Sequence, residues 1–240
     1  MAKHGKRYAE AKKGIVPGKE YHPLDAVRMV KGHEVSKFDS TIEVHFRLGV
    51  NVRHAEEQLR GTIALPHGTG ADVKVAVFAQ GDAVKDAEAA GADVVGGDDL
   101  AEKIKEGFSD FDVVIATPDM MGTVGKLGRV LGPQGKMPNP KSGTVTPDVA
   151  TAISEIKAGK VEYRTDRHGI VHMTIGKRSF EDGQLAENYQ TIFDEILRQK
   201  PASSKGVYFR NITMCQTQGP GVLVDPNLSP AEVLEAPEAA

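Results

Sequence analysis

Between Val73 and Ala116 the chain alternates strand-like and helix-like segments, and that alternation restricts the folds open to it. Val73–Ala79 (VKVAVFA) reads as a buried strand, Asp82–Ala90 as a helix, and Asp93–Val95 as a short strand. Asp98–Glu106 reads as a helix opened by an Asp cap, and Phe111–Ala116 as a strand that stops at Thr117-Pro118. Apolar strands separated by short helices imply a parallel sheet covered on both faces, a small Rossmann-like three-layer α/β domain. Such a fold does not by itself bind a nucleotide. A phosphate site needs a glycine-rich turn leading directly into a helix N-terminus. Gln80-Gly81-Asp82 lacks the required glycine spacing, and Gly132-Pro133-Gln134-Gly135-Lys136 is followed by Met137 where a magnesium-holding Ser or Thr belongs.

The flanking segments have a different pattern. Thr41–Leu48 (TIEVHFRL) alternates, with Ile42, Val44, Phe46 and Leu48 on a core face and Thr41, Glu43, His45 and Arg47 on a polar one. Lys160–Arg164 and Ile170–Ile175 read as strands around a turn at Asp166–Gly169. Gln184–Gln199 places Leu185, Ile192, Ile196 and Leu197 at helical spacing, and Val207–Met214 and Gly221–Val224 read as two further strands. Antiparallel strands with helices on one side make an α+β domain. The layout expected is therefore two domains. Residues 1–66 and 159–224 form a discontinuous α+β domain, and residues 67–158 form the inserted α/β domain, with crossings near His67 and Lys157. Residues 225–240 form an acidic tail rich in Ala and Pro, expected to be disordered.

The formal net charge of −3 conceals a segregation. Residues 1–66 carry 12 basic against 8 acidic side chains, residues 159–224 carry 9 against 7, and residues 67–158 carry 9 against 14. Only the domain built from the chain ends has the sign expected to face a polyanion.

One stretch of the middle segment breaks both its charge and its periodicity. Gly125 to Thr146 holds five glycines, three prolines and four basic residues with no acidic one. Pro133, Pro138 and Pro140 remove backbone donors, so a shaped loop is expected rather than a plain helix or strand. Lys126, Arg129, Lys136 and Lys141 along it are candidate secondary RNA contacts. A solvated, flexible loop is the alternative.

No stretch reaches the ~18–20 apolar residues of a membrane span, and MAKHGKRYAEAKKG has the charge of a signal peptide without its apolar core, so a soluble, unexported protein is expected. Cys215 is the single cysteine, which excludes an internal disulfide and a Cys-rich zinc site and fits a reducing cytosol. No local signature joins Cys215 to any of the eight histidines, and His67-Gly68-Thr69-Gly70 is not accompanied by a nucleophile elbow. Neither a catalytic centre, a metal nor a cofactor is expected.

Three ordered motifs carry a resemblance. Lys37-Phe38-Asp39-Ser40-Thr41-Ile42-Glu43-Val44, the run from Gly128 to Lys141 (GRVLGPQGKMPNPK), and Thr217-Gln218-Gly219-Pro220 resemble the family of large-subunit ribosomal protein one. The likeness extends from Lys3-His4-Gly5-Lys6-Arg7-Tyr8 to about Val224. It implies a structural, non-enzymatic protein of the large ribosomal subunit in the cytoplasm, monomeric when free of the ribosome. The terminal-segment domain would grip a folded ribosomal RNA stalk beside the transfer-RNA exit site. The protein would assist release of deacylated transfer RNA and repress translation of its own operon messenger.

Carried over residue by residue, the resemblance makes Lys37, Phe38, Thr41 and Glu43 one half of the RNA surface. Thr217, Gln218, Gly219 and Pro220 make the other, and Arg164, Asp166 and Arg167 fall near the same edge. The family usually has Met where this chain has Gln218, which replaces an apolar contact by a hydrogen-bonding one. The types suit RNA, whose shallow minor groove exposes 2′-hydroxyls to Thr, Glu and backbone amides, while Lys and Arg meet phosphates. Each has a plainer reading: Glu43 as a strand residue paired with Arg47, Phe38 as core, Thr217–Gly221 as a turn, and the cations as surface charge. The competing class is a nucleotide-binding enzyme using the middle domain, which added ATP or NAD would stabilise against heat.

Overall fold

The computed structural model describes residues 5–33 and 35–228. In chain order the elements are α1 (Lys6–Lys13), α2 (Pro23–Gly32), β1 (Thr41–Leu48), β2 (Arg60–Ala64), β3 (Val75–Phe78), α3 (Asp82–Ala89), β4 (Val94–Gly96) and α4 (Asp98–Lys105). They continue as β5 (Val113–Ala116), α5 (Met121–Gly125), α6 (Gly128–Leu131), α7 (Val149–Lys157), β6 (Lys160–Arg164), β7 (Ile170–Lys177), α8 (Asp182–Arg198), β8 (Phe209–Gln216) and β9 (Val222–Val224). Helices and strands are mixed over several sheets. The chain divides into two compact units, one formed up to Gly70 and again from Tyr163, the other spanning Ala71–Glu162.

The first unit is built on an antiparallel sheet of order β7-β1-β8-β9, and β2 pairs with β6, the strand along which the chain returns to this unit. The alternation of β1 decides which side is buried: Ile42, Val44 and Phe46 are fully buried, and Val171, Ile175, Ile212 and Met214 of the neighbouring strands join them. Against that face lie α2 and α8 with Ala26, Val27, Val30, Leu185, Tyr189 and Ile192, all inaccessible to solvent. Burial of each large aliphatic side chain contributes about 1.5–3 kcal/mol, so this face is the main source of the unit's stability. Pro23 opens α2 behind His22, whose Nδ1 accepts from the Leu24 amide at 3.3 Å. α8 begins with a Glu181–Gln184 capping box. Asn188 is the polar exception on the buried face of α8. It donates to the carbonyls of Gly68 (3.0 Å) and Ile175 (2.8 Å) and accepts from the His67 amide (3.2 Å). The His67–Gly70 segment is thus a structural anchor.

The second unit has a parallel sheet of order β4-β3-β5. Ala76, Phe78, Leu100 and Ile104 fill one side with Leu127 and Leu131, and Val75, Val77, Ile115, Ile153 and Ile156 fill the other. Strands buried on both faces explain why β3 and β5 read as continuous apolar runs.

Several local expectations are corrected. Asp98 does not cap α4: the cap position is Gly97, and Asp98 instead accepts from the Thr123 hydroxyl at 2.9 Å. Lys160–Arg164 and Ile170–Lys177 are strands around a turn, as expected, with Thr165 bridging Val171 across it, but they continue into different sheets, β6 pairing with β2 and β7 with β1. The Gly125–Thr146 stretch is more ordered than a loop. It contains α6 and a 3-10 turn at Pro140–Ser142, and it buries Leu127 and Leu131. The apolar residues between its glycines supply that order. In the expected tail, the Asp225 amide donates to the Tyr21 carbonyl at 3.0 Å, so the chain is still paired there. Residues 229–240, on which the expectation of disorder mainly fell, lie outside the described residues.

Candidate nucleic-acid interface

The outer face of the four-stranded sheet is set by the same alternation that buries the inner one. β1 runs antiparallel to β7 and β8, with Glu43 opposite Cys215, His45 opposite both His172 and Thr213, and Thr41 opposite Lys177. The result is a polar platform with a distinct structure at each end of β1.

At the Thr41 end two segments far apart in sequence are tied together. The Thr217 amide and hydroxyl both donate to the Thr41 carbonyl, at 3.0 and 3.2 Å. Ser40 is fully buried and donates to Gln216 Oε1 at 2.9 Å, while Gln216 Nε2 donates to the His33 carbonyl. Gln216 occupies an inward position of β8, where Ile212 and Met214 precede it. Its buried amide therefore has a structural cause, the joining of two loops. Beyond it the chain turns sharply: Gln218 has φ 67°, and the Gly219 amide donates to the Gln216 carbonyl at 2.8 Å. A Cβ on Gly219 would lie 2.7 Å from Gln216 Cγ, so glycine is required there by close approach. Gln218 is exposed and Thr217 half-buried, but Pro220 is buried and offers no surface. Pro220 acts by shaping the turn, which corrects its expected role as a contact.

Lys37 is exposed before β1, and Phe38 is 53% exposed, which removes its reading as a core residue. Together with Asp39, Arg178 and Ser179 they line a shallow cleft. Asp39 accepts from the Ser179 amide (3.0 Å) and hydroxyl (2.8 Å), fixing the loop to the segment after β7. Lys177 Nζ donates to the Thr41 hydroxyl at 3.1 Å.

Arg164, Asp166 and Arg167 lie at the opposite end of β1, not at this edge. The Leu48 amide donates to the Gly169 carbonyl at 2.9 Å, and Arg47 faces Ile170 across the ladder. Eight residues of strand separate the two ends by roughly 23 Å at the usual rise per residue. Arg164 and Arg167 are exposed, and with Arg53 and Gln58 they line a basic cleft. Asp166 builds the turn: its Oδ1 accepts from the His168 and Ile170 amides, each at 2.8 Å. Partial burial alone would raise its carboxyl, but those two amides and His172 hold it below the usual carboxylate range. Arg53 was missed in the sequence because nothing local connects it to Arg164.

The middle of the platform joins residues that sequence spacing keeps apart. His45 Nε2 lies 3.3 Å from Cys215 Sγ and 4.0 Å from Glu43 Oε2. His45 Nδ1 is 2.9 Å from His172 Nδ1, and His172 Nε2 is 3.6 Å from Asp166 Oδ2. A Cys/His pair is thus present after all, assembled by pairing of β1 with β8. The neighbour that the structure gives Glu43 is His45 rather than Arg47. Burial, then the neighbouring His172, lowers the His45 imidazole against the opposing pull of Glu43, while burial and Glu43 push the Cys215 thiol up.

Among the four cations of Gly125–Thr146, Lys126, Arg129 and Lys141 are exposed. Lys136 is occupied within the second unit: its Nζ donates to the Phe111 carbonyl and sits 4.9 Å from the Phe111 ring centre.

A polar sheet face of Thr, Glu and His, bounded at both ends by exposed Lys and Arg, has the donor and acceptor types that meet RNA hydroxyls and phosphates. Those types suit a nucleic-acid-binding protein, and the face is open rather than an enclosed pocket. A sequence model of the ribosomal protein L1p/L10e family matches residues 30–220, and the chain belongs to that family. It is accordingly a structural, non-enzymatic, ribosomal-RNA-binding component of the large ribosomal subunit in the cytoplasm. Among the described residues, no helix is long and apolar enough to cross a membrane.

Proposed function

We propose that the outer face of the β7-β1-β8-β9 sheet grips the folded stalk of large-subunit ribosomal RNA beside the transfer-RNA exit site. Lys37, Phe38, Thr41, Glu43, Thr217, Gln218 and Gly219 form the principal contact, and Arg164 and Arg167, joined by Arg53, hold phosphates about one strand length away. The observation that supports this most is the tie at Gln216. It makes one rigid edge from residues near 40 and residues near 217, as a specific RNA-reading surface requires. Thr41 and Thr217 address 2′-hydroxyls, Glu43 accepts from hydroxyl or base amino groups, and Phe38 offers an exposed ring for stacking.

In this reading the same surface binds a similar fold in the protein's own messenger, so free protein represses its translation, and the ribosome-bound protein assists departure of deacylated transfer RNA. The two compact units act as separate domains in a monomer. The exposed Lys126, Arg129 and Lys141 of the second are secondary RNA contacts. A filter-binding titration of the whole protein against the stalk fragment, a scrambled hairpin and the messenger leader, at several salt concentrations, tests this. Stalk-selective binding that survives moderate salt, with the leader competing for the same site, is expected. Equal, salt-labile binding to all three RNAs would overturn it.

A further inference from the structure

We propose that Glu43, His45 and Cys215 form a binding site for a single zinc-class divalent cation on the open face of the sheet. The three side chains come from two antiparallel strands, and one ligand atom from each lies within 4.8 Å of the others. Zinc bonds of about 2.3 Å to sulfur and 2.0–2.1 Å to nitrogen set tetrahedral donor pairs on the order of 3.5 Å apart. The His45–Cys215 separation of 3.3 Å already matches this, and the 4.0 Å from His45 to Glu43 closes by a small rotation of an exposed carboxylate. Thiolate, imidazole and one carboxylate form a borderline-soft set, which suits zinc or cobalt and disfavours magnesium or calcium.

The surrounding hydrogen bonds orient the histidine for this task. Two Nδ1 atoms 2.9 Å apart require one ring to donate and the other to accept. Asp166 at 3.6 Å from His172 Nε2 favours the proton on that nitrogen, which leaves His172 Nδ1 as the acceptor. His45 then donates from Nδ1 and keeps its Nε2 lone pair directed at Cys215 and Glu43. A ligating histidine usually donates its other ring N–H to an outer-shell acceptor that fixes its orientation, and His172 fills that place here. His172 and Asp166 are positioning residues here. With three protein ligands, the fourth position is open to water.

The site shares Glu43 with the RNA contacts proposed above, but its other ligands, His45 and Cys215, are not among them, and it is tested without RNA. Cobalt(II) is titrated into the reduced, full-length protein and followed by absorption, and then displaced with zinc. One equivalent is expected to produce a thiolate-to-cobalt charge-transfer band that zinc abolishes. Cys215→Ser removes the band while the circular dichroism spectrum stays that of the wild type. His172→Asn retains the band and weakens affinity by roughly 10–100-fold, the usual effect of losing an outer-shell partner. The wild-type spectrum decides the matter even if a variant fails to fold. Absence of a charge-transfer band in the wild type, or zinc affinity unchanged in Cys215→Ser, would overturn the proposal.

Discussion

Replacing Gln216 by Leu removes a buried side chain that bonds at once to Ser40 and to the His33 carbonyl beneath the proposed RNA edge. The change keeps approximate volume and leaves two groups without partners. The Ser40 hydroxyl, fully buried, loses its acceptor, and the His33 carbonyl loses its donor. An unsatisfied buried polar group costs about 1–3 kcal/mol, and since His33 is only partly buried its carbonyl regains some of this from water. The expected loss is therefore ~2–4 kcal/mol, a large part of the roughly 5–15 kcal/mol available to a domain. Urea unfolding followed by circular dichroism and by tyrosine fluorescence, in a chain with no tryptophan, measures it. Under conditions where the variant remains folded, stalk RNA affinity should fall about tenfold or more, equivalent to ~1.4 kcal/mol of lost preorganisation. Adding Ser40→Ala to Gln216→Leu should recover part of the stability, because both members of that hydrogen bond are then gone. Destabilisation below ~0.5 kcal/mol, the range of an ordinary surface change, would refute the tie; normal affinity in a clearly destabilised variant would refute its link to RNA.

Other consequences can be checked separately. Arg53→Ala should reduce the slope of log affinity against log salt by about one unit for one lost phosphate contact, and an unchanged slope would remove Arg53 from the interface. Lys136→Met should lower thermal stability by about 1 kcal/mol through loss of its bond to the Phe111 carbonyl and leave RNA affinity intact; the reverse pattern would return Lys136 to the RNA contacts. The folded Asp166 carboxyl is held below its usual value, so it stabilises above the unfolded pKa of about 3.9, and that stability is lost as pH falls through the lower folded value. Acid unfolding of Asp166→Asn should accordingly be shallower below about pH 4 than that of wild type, by a small margin since the side chain is 31% exposed. Parallel curves would show that the turn does not depend on the charge.

What was legible in the sequence followed from local periodicity. The alternation of Thr41–Leu48 gives β1 with its correct faces, and the apolar runs of Val75–Phe78 and Val113–Ala116 give strands buried on both sides. What was not legible depends on pairing between distant segments. Asp166–Gly169 looks like a hairpin turn, and Thr165 does bridge Val171 across it, yet its flanking strands continue into different sheets, a choice of partner made by segments distant in sequence. The antiparallel register of β7, which sets Ile170 opposite Arg47, carries Arg164 and Arg167 away from Thr217. A lone cysteine offered no metal signal until β8 placed it against His45. Pro220 belongs to a motif whose other members are accessible, and only burial separates its turn-making role from theirs. Gln216 did carry a hint: a polar side chain at an inward position of an apolar strand face needs a buried partner.

Hydrogen–deuterium exchange of the whole protein, free and saturated with the ribosomal RNA stalk fragment, tests most directly where the RNA sits. New protection is expected at Lys37–Thr41, Thr217–Gly219 and the Arg164–Arg167 turn, with the buried strands unchanged. Protection confined to Gly125–Thr146, with those three segments exchanging as in the free protein, would contradict it.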